Sequence, residues 1–333
     1  MITTPRVHRA VNWNKQTDSY TLAFWEQNIQ QMWTDTEFVP SKDRNVWNTL
    51  SPEIQDAYKK VLSGLTALDT KQYEVGIPAI KAHIHDLQRK GVLSFMEFME
   101  SMHAKSYSTI FTTLLPESEV DYLLDVWVEE NPFLQYKAEL VSHYYENIND
   151  RKSLYVALVA SVYLESFLFY SGFFLPLWLA GQGKMVASGE IILKIIQDES
   201  IHGVYIGLLA QEMYQLLTPQ EQEEVDYESE KLMEELMDNE FKYTENIYSG
   251  IGLDHEVKAF LHYNANKALM NLGKSAKYED KKINPIVLNG LNTESGTHDF
   301  FSTKGNSYQK AKHRPLTDND FSFDWLGKEE DDI

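Results

Sequence analysis

The chain contains no cysteine among its 333 residues. That absence excludes a disulfide scaffold, a cysteine-ligated zinc site, an iron–sulfur cluster and any thiol chemistry of the chain's own. Basic side chains are scarce beside acidic ones, 30 against 50, for a formal charge of −20. Nothing supplies the cationic field needed to track a phosphate backbone, so nucleic acid is not an expected partner. No run of about 18 uncharged apolar residues is apparent, and the opening MITTPRVHRAVNW lacks the apolar segment of a signal peptide. Neither a membrane span nor export is expected, and the chain reads as a soluble cytoplasmic protein. Strand-like alternation of useful length and repeats of fixed period are missing too. Apolar residues are plentiful, 43% hydrophobic and 13% aromatic, which excludes a disordered polymer.

The pattern from about Tyr20 to about residue 275 is helical almost throughout. Ser51-Pro52-Glu53 reads as an N-cap, a first-turn proline and an acid at the positive helix end, and the helix it opens runs toward Gly76. Further helical runs cover Leu93 to Leu115, Leu154 to about Leu179, and Val186 to Leu217. Thr218-Pro219-Gln220-Glu221 has capping-box spacing and starts an acidic helix that ends at Gly250 and Gly252. A last helix covers about Asp254 to Leu272. The expected architecture is all-α, with residues 1–284 forming a helical bundle. From Pro285 the periodicity is lost, and residues 285–333 read as a flexible C-terminal tail. That tail carries Phe300, Phe301, Tyr308, Phe321, Phe323 and Trp325, and residues 318–332 hold seven acids and one lysine. Aromatic anchors among acids suit docking into a partner's groove.

Each of the four long apolar runs contains a residue that does not belong in a core. Asp69 lies in GLTALDTKQYEVG, Glu100 and His103 in FMEFMESMHAKSYSTIF, Glu165 in VASVYLESFLFYSGFF, and Glu199 and His202 in IILKIIQDESIHGVYIG. An ionised carboxylate in such surroundings is costly unless paired or metal-bound. A single Glu-x-x-His is weak, and is more often a surface pair on a helix. Here two of them alternate with two lone acids, at separations of 31, 65 and 34 residues. Positions i and i+3 share a helix face, so Glu and His can grip one ion from one side. Two helix pairs, each giving two carboxylates and one imidazole, match the pattern of dinuclear carboxylate proteins with a ferritin-like bundle. Carboxylate oxygen and imidazole without thiolate suit two manganese or two iron ions. Tyr107 follows His103 by one turn, which puts a phenol beside the centre. Phe169 and Phe173, after Glu165, and Ile195, before Glu199, read as an apolar sleeve around that phenol. Tyr107 is then either a core tyrosine with a satisfied hydroxyl or a one-electron carrier shielded from quenching.

The motifs FMESMHAKSYSTIF, LESFLFYSGFF and IIQDESIHGVYIG resemble the radical-generating small (β) subunit of class I ribonucleotide reductase, most closely class Ib, over about residues 10–325. The resemblance implies six metal ligands at Asp69, Glu100, His103, Glu165, Glu199 and His202, and a stable tyrosyl radical on Tyr107 within a pocket of Phe169, Phe173 and Ile195. Trp33 in QMWTDTEFVP matches the family's radical-relay tryptophan, Asp198 its linking acid, and Tyr308 in GNSYQK the relay tyrosine of the tail. The implied partners are a large (α) catalytic subunit, a second copy of the chain in a homodimer, and a flavodoxin-like activase that delivers superoxide to a manganese form. Two other readings of the bundle are a ferritin-like ferroxidase or storage protein and a dinuclear oxygenase. A phenol beside the centre and a docking tail count against storage.

Overall fold

The computed structural model describes residues 9–279 and 281–291. Tyr308 and the rest of residues 292–333 lie outside the described residues. Ten helices carry the argument: α1 (Thr21–Gln31), α2 (Pro52–Lys71), α3 (Leu87–Leu114), α4 (Pro132–Glu146), α5 (Arg151–Tyr163), α6 (Tyr170–Ala180), α7 (Val186–Gln215), α8 (Pro219–Tyr248), α9 (Asp254–Asn271) and α10 (Pro285–Leu291). No strand occurs among the described residues.

The helix starts follow local chemistry. Ser51 caps α2 by accepting from the Ile54 amide, and Thr218 and Glu221 form the expected capping box on α8. Helix α3 begins at Leu87, six residues before the expected Leu93, because Asp86 accepts from the amides of Gln88 and Arg89 and sets an N-cap there. The polar stretch Gln88 to Gly91 had hidden that turn.

Helices α2 and α3 pack as one pair, α5 and α7 as another, and α6 and α7 join them through contacts with α2 and α3. On α3 the buried stripe is Leu93, Met96, Glu100, His103, Tyr107 and Ile110, at intervals of three or four residues. One helix face thus brings hydrophobic burial and chemistry to the same interior line.

The run expected as one helix from Leu154 to Leu179 is interrupted. Residues Leu164–Leu168 form a π turn, in which the Phe169 amide bonds to the Leu164 carbonyl, 3.4 Å away. A second π turn, Gln72–Gly76, follows α2. Each inserts one residue and rotates everything beyond it relative to an ideal α-helix, a feature that often marks a functional site. The stretch Arg151–Ala180 is long and apolar enough to cross a membrane by length and composition, yet its apolar window is 100% buried within the protein. Residues Pro285–Leu291 also depart from expectation by forming a short helix. Asn284 accepts from the Ile286 amide at 2.7 Å, and fully buried Val287 anchors the turn as α10 packs on α6. Seven residues are too few for helical periodicity to show in sequence.

Among the described residues, the ion pair of Lys137 and Glu240 is buried outside the carboxylate cluster. Lys137 on α4 donates to both oxygens of Glu240 on α8, at 3.1 and 2.9 Å, and lies 3.8 Å over the Tyr243 ring. Ser171 on α6 also donates to Glu240. Burial depresses the Lys137 ammonium below its usual range, with Glu240 opposing the shift. Removing one partner strands the other charge, whereas replacing both with apolar residues does not. Lys137→Met is expected to destabilise the protein by about 3–5 kcal/mol. Adding Glu240→Leu should recover most of that loss, as read from denaturant unfolding.

Candidate metal centre

All six sequence-predicted ligands are fully buried, each at 0% exposure. They form two overlapping groups. Asp69, Glu100, His103 and Glu199 make one; Glu100, Glu165, Glu199 and His202 make the other; within each, one atom per residue lies within 4.8 Å of the rest. Glu100 and Glu199 belong to both. The contacts are close: His103 Nδ1 to Glu199 Oε1 is 3.0 Å, His202 Nδ1 to Glu100 Oε1 is 2.6 Å, and His202 Nδ1 to Glu199 Oε2 is 3.4 Å.

Despite that proximity, these atoms are not hydrogen-bonded. Both oxygens of Asp69, Glu100 and Glu199, Oε2 of Glu165, and Nδ1 of both histidines lack a hydrogen-bond partner. Buried polar atoms almost always find partners, so a convergent set without them fits a cation. The donor chemistry agrees, since four carboxylates and two imidazoles can neutralise two divalent ions.

The electrostatics say the same. Burial lifts Asp69 and Glu199 well above the usual carboxylate range, and the neighbouring Glu100 raises both further. Burial acts in the same direction on Glu100, but His202 and His103 prevail and hold it down to about 2. Burial opposes a charged His103, yet Asp198 and Glu100 push its pKa up to about 10. His202 likewise rises well above its usual value, burial being outweighed by Glu100, Glu165 and Glu199. A metal ion binding there would displace the protons held by Asp69, Glu199 and the two histidines.

Around this cluster the structure gathers Trp33, Asp198 and Tyr107. Trp33, 2% exposed, donates from Nε1 to Asp198 Oδ2 at 2.8 Å. That same oxygen lies 3.0 Å from His103 Nε2. When the only proton of His103 sits on Nε2 and is donated to Asp198, Nδ1 presents its lone pair to the cluster, the tautomer a ligand needs. The Trp33 ring also stacks on His103, with centroids 6.0 Å apart and planes at 15°. Trp33, Asp198 and His103 therefore form one continuous path from α1's end into the cluster.

Tyr107 is fully buried and its hydroxyl has no hydrogen-bond partner. Burial raises its pKa far above the ordinary phenol, and Asp69, Glu199 and Glu100 raise it further. The phenol therefore resists becoming a phenolate and keeps its proton until an electron leaves. Phe169, Phe173 and Ile195 are also fully buried, and the two phenylalanine rings pack at 6.0 Å.

Sequence reasoning missed two features at the site. Gln31 donates to Asp198 Oδ1 at 2.9 Å, so both oxygens of that carboxylate are held. Gln72 reaches Glu165, Ser161 and Tyr145. Its signal was present, since Gln72 stands three residues after Asp69, the spacing of the two Glu-x-x-His motifs.

Comparison with known proteins shows the family of the chain. The family model described as ribonucleotide reductase, small chain, matches residues 10–285. The chain is 51% identical to the ribonucleoside-diphosphate reductase subunit beta of Bacillus phage SPbeta, over 96% of this chain and 97% of that one. It is 50% identical to the protein of the same name from Bacillus subtilis strain 168, over 96% of this chain and 98% of that one. The crystal structure of Streptococcus sanguinis dimanganese(II)-NrdF superimposes with a TM-score of 0.83 at 43% identity, covering 86% of this chain and all of that one. The four-carboxylate, two-imidazole cluster sits in a chain that belongs to the ribonucleotide reductase small-chain family.

Proposed function

We propose that this chain is the class Ib β subunit of a ribonucleoside-diphosphate reductase, holding two manganese or two iron ions and storing an oxidising equivalent on Tyr107. The observation that carries the reading is the convergence of buried, unpartnered ligand atoms beside an unpartnered phenol. Asp69, Glu100, His103 and Glu199 would hold one ion, and Glu100, Glu165, Glu199 and His202 the other. The likeness to dimanganese(II)-NrdF supports manganese. When bound and activated, the metal pair supplies a one-electron oxidant in a site closed to solvent.

The chain's own residues do the rest. Tyr107 gives up an electron, and its phenolic proton passes to a neighbouring base, with Asp69 beside it. Burial with Phe169, Phe173 and Ile195 keeps water and reductants away from the resulting radical. Trp33 and Asp198 carry the hole outward, because the indole N–H and the Asp198 carboxylate are already hydrogen-bonded and can couple electron movement to a proton. Tyr308 extends that route into the tail, which begins beyond α10 and docks on the large subunit. The large subunit reduces the ribonucleotide, since that chemistry needs thiols and this chain has none. A homodimer, a flavodoxin-like activase and a cytoplasmic location go with this reading. A storage protein has no use for the buried Trp33–Asp198–His103 path.

Two outcomes follow. Mn(II) at about 100 times its Kd should stabilise the metal-free protein by about 2.7 kcal/mol per site, seen as a rise in Tm. No rise would remove the metal assignment. In deoxyribonucleotide synthesis with the cognate large subunit, Tyr107→Phe and Trp33→Phe should each fall to the background of the large subunit alone while binding two ions. Turnover at the wild-type rate by either variant would refute the role given to that residue.

A further inference from the structure

Gln72 is fully buried and uses every polar atom of its carboxamide. Nε2 donates to Ser161 Oγ at 2.8 Å and also to Glu165 Oε1, while Oε1 accepts from the Tyr145 hydroxyl at 2.9 Å. Turning the amide over would set its oxygen against the Glu165 carboxylate, which can only accept when ionised. Tyr145 and Glu165 therefore hold opposite ends of one side chain in one orientation.

The backbone is shaped around this contact. Gln72 opens the π turn that closes at Gly76, and Glu165 sits within the other π turn. A Cβ at position 76 would stand 2.3 Å from Gln72 Oε1 and 2.8 Å from the Tyr145 ring, so glycine is what lets the amide lie there. The result is an asymmetry between the two lone acids. Asp69 has both oxygens unpartnered, whereas Glu165 has Oε1 taken by Gln72 and only Oε2 unpartnered, 3.6 Å from His202 Nδ1.

We propose that Gln72 is a positioning residue that ties down one oxygen of Glu165, so that the other alone is presented to the ion subsite of Glu100, Glu165, Glu199 and His202. Tyr145 sets the orientation of the amide, and Gly76 provides its space. This rests on Glu165 being a ligand, as proposed above. The two subsites then differ in character: one lone acid is free to use both oxygens and the other is restricted to one.

The test is a Mn(II) titration of the full-length metal-free protein, with free aquated Mn(II) followed by electron paramagnetic resonance. Wild type should bind two ions and Glu165→Ala only one. Gln72→Met keeps the length of the side chain and removes all three hydrogen bonds. It should weaken one site by about 10–100-fold and leave the other unchanged, the usual size of an effect transmitted through a ligand's hydrogen-bond partner. Tyr145→Phe should shift the same site in the same direction by less. Equal weakening of both sites in Gln72→Met, or wild-type affinity at both, overturns the proposal while loss of an ion in Glu165→Ala keeps the ligand assignment standing. Two ions bound at wild-type affinity by Glu165→Ala would remove the ligand assignment and this inference together. Should Gln72→Met not fold, Tyr145→Phe decides, and wild-type affinity at both of its sites overturns the proposal.

Discussion

Four carboxylates and two imidazoles sit together in the buried interior of a helical bundle, and the rest of the structure accommodates that fact. Moving even one carboxylate out of water costs several kcal/mol after relaxation. Here Asp69, Glu100, Glu165 and Glu199 are all at 0% exposure, and the oxygens without hydrogen bonds face common space. The long apolar helices supply the burial that offsets this cost, and the same burial raises the field at the centre. High pKa values at Asp69, Glu199, His103 and His202 are the metal-free protein's way of moderating unbalanced charge. Two divalent ions would balance it more fully.

That constraint explains why so much was legible in sequence. An acid such as Glu165 between Leu164 and Ser166, with Tyr163, Phe167 and Leu168 around it, is conspicuous because physics forbids it without a partner. The two Glu-x-x-His motifs became specific once two lone acids on other helices accompanied them. Trp33 and Asp198 came only through resemblance, since 165 residues separate them and no local pattern links an indole to a distant carboxylate.

Other parts were silent for equally physical reasons. The π turn Leu164–Leu168 inserts one residue with no proline or glycine to mark it, so it read as ordinary helix. Gln72 is an unremarkable polar residue by composition, and its use of all three hydrogen-bonding positions depends on Tyr145 from a helix that the sequence reading did not identify. Lys137 and Glu240 look like surface charges on amphipathic helices. They meet only because α4 and α8 pack face to face, 103 residues apart in the chain. The short helix Pro285–Leu291 is held by Val287 against α6, a tertiary contact that seven residues cannot announce.

The arrangement separates two tasks within one bundle. Tyr107 is fully buried near carboxylates that keep its proton in place, which suits the proposed storage of an oxidising equivalent. Trp33 and Asp198 leave the centre on the opposite nitrogen of His103, which suits its proposed export. The most direct measurement is electron paramagnetic resonance on the metal-loaded, oxidant-activated protein containing ring-deuterated tyrosine, beside Tyr107→Phe. The expected result is a radical whose hyperfine splitting collapses on deuteration and which is absent in Tyr107→Phe despite two bound ions. A radical of unchanged shape and intensity in Tyr107→Phe would contradict it.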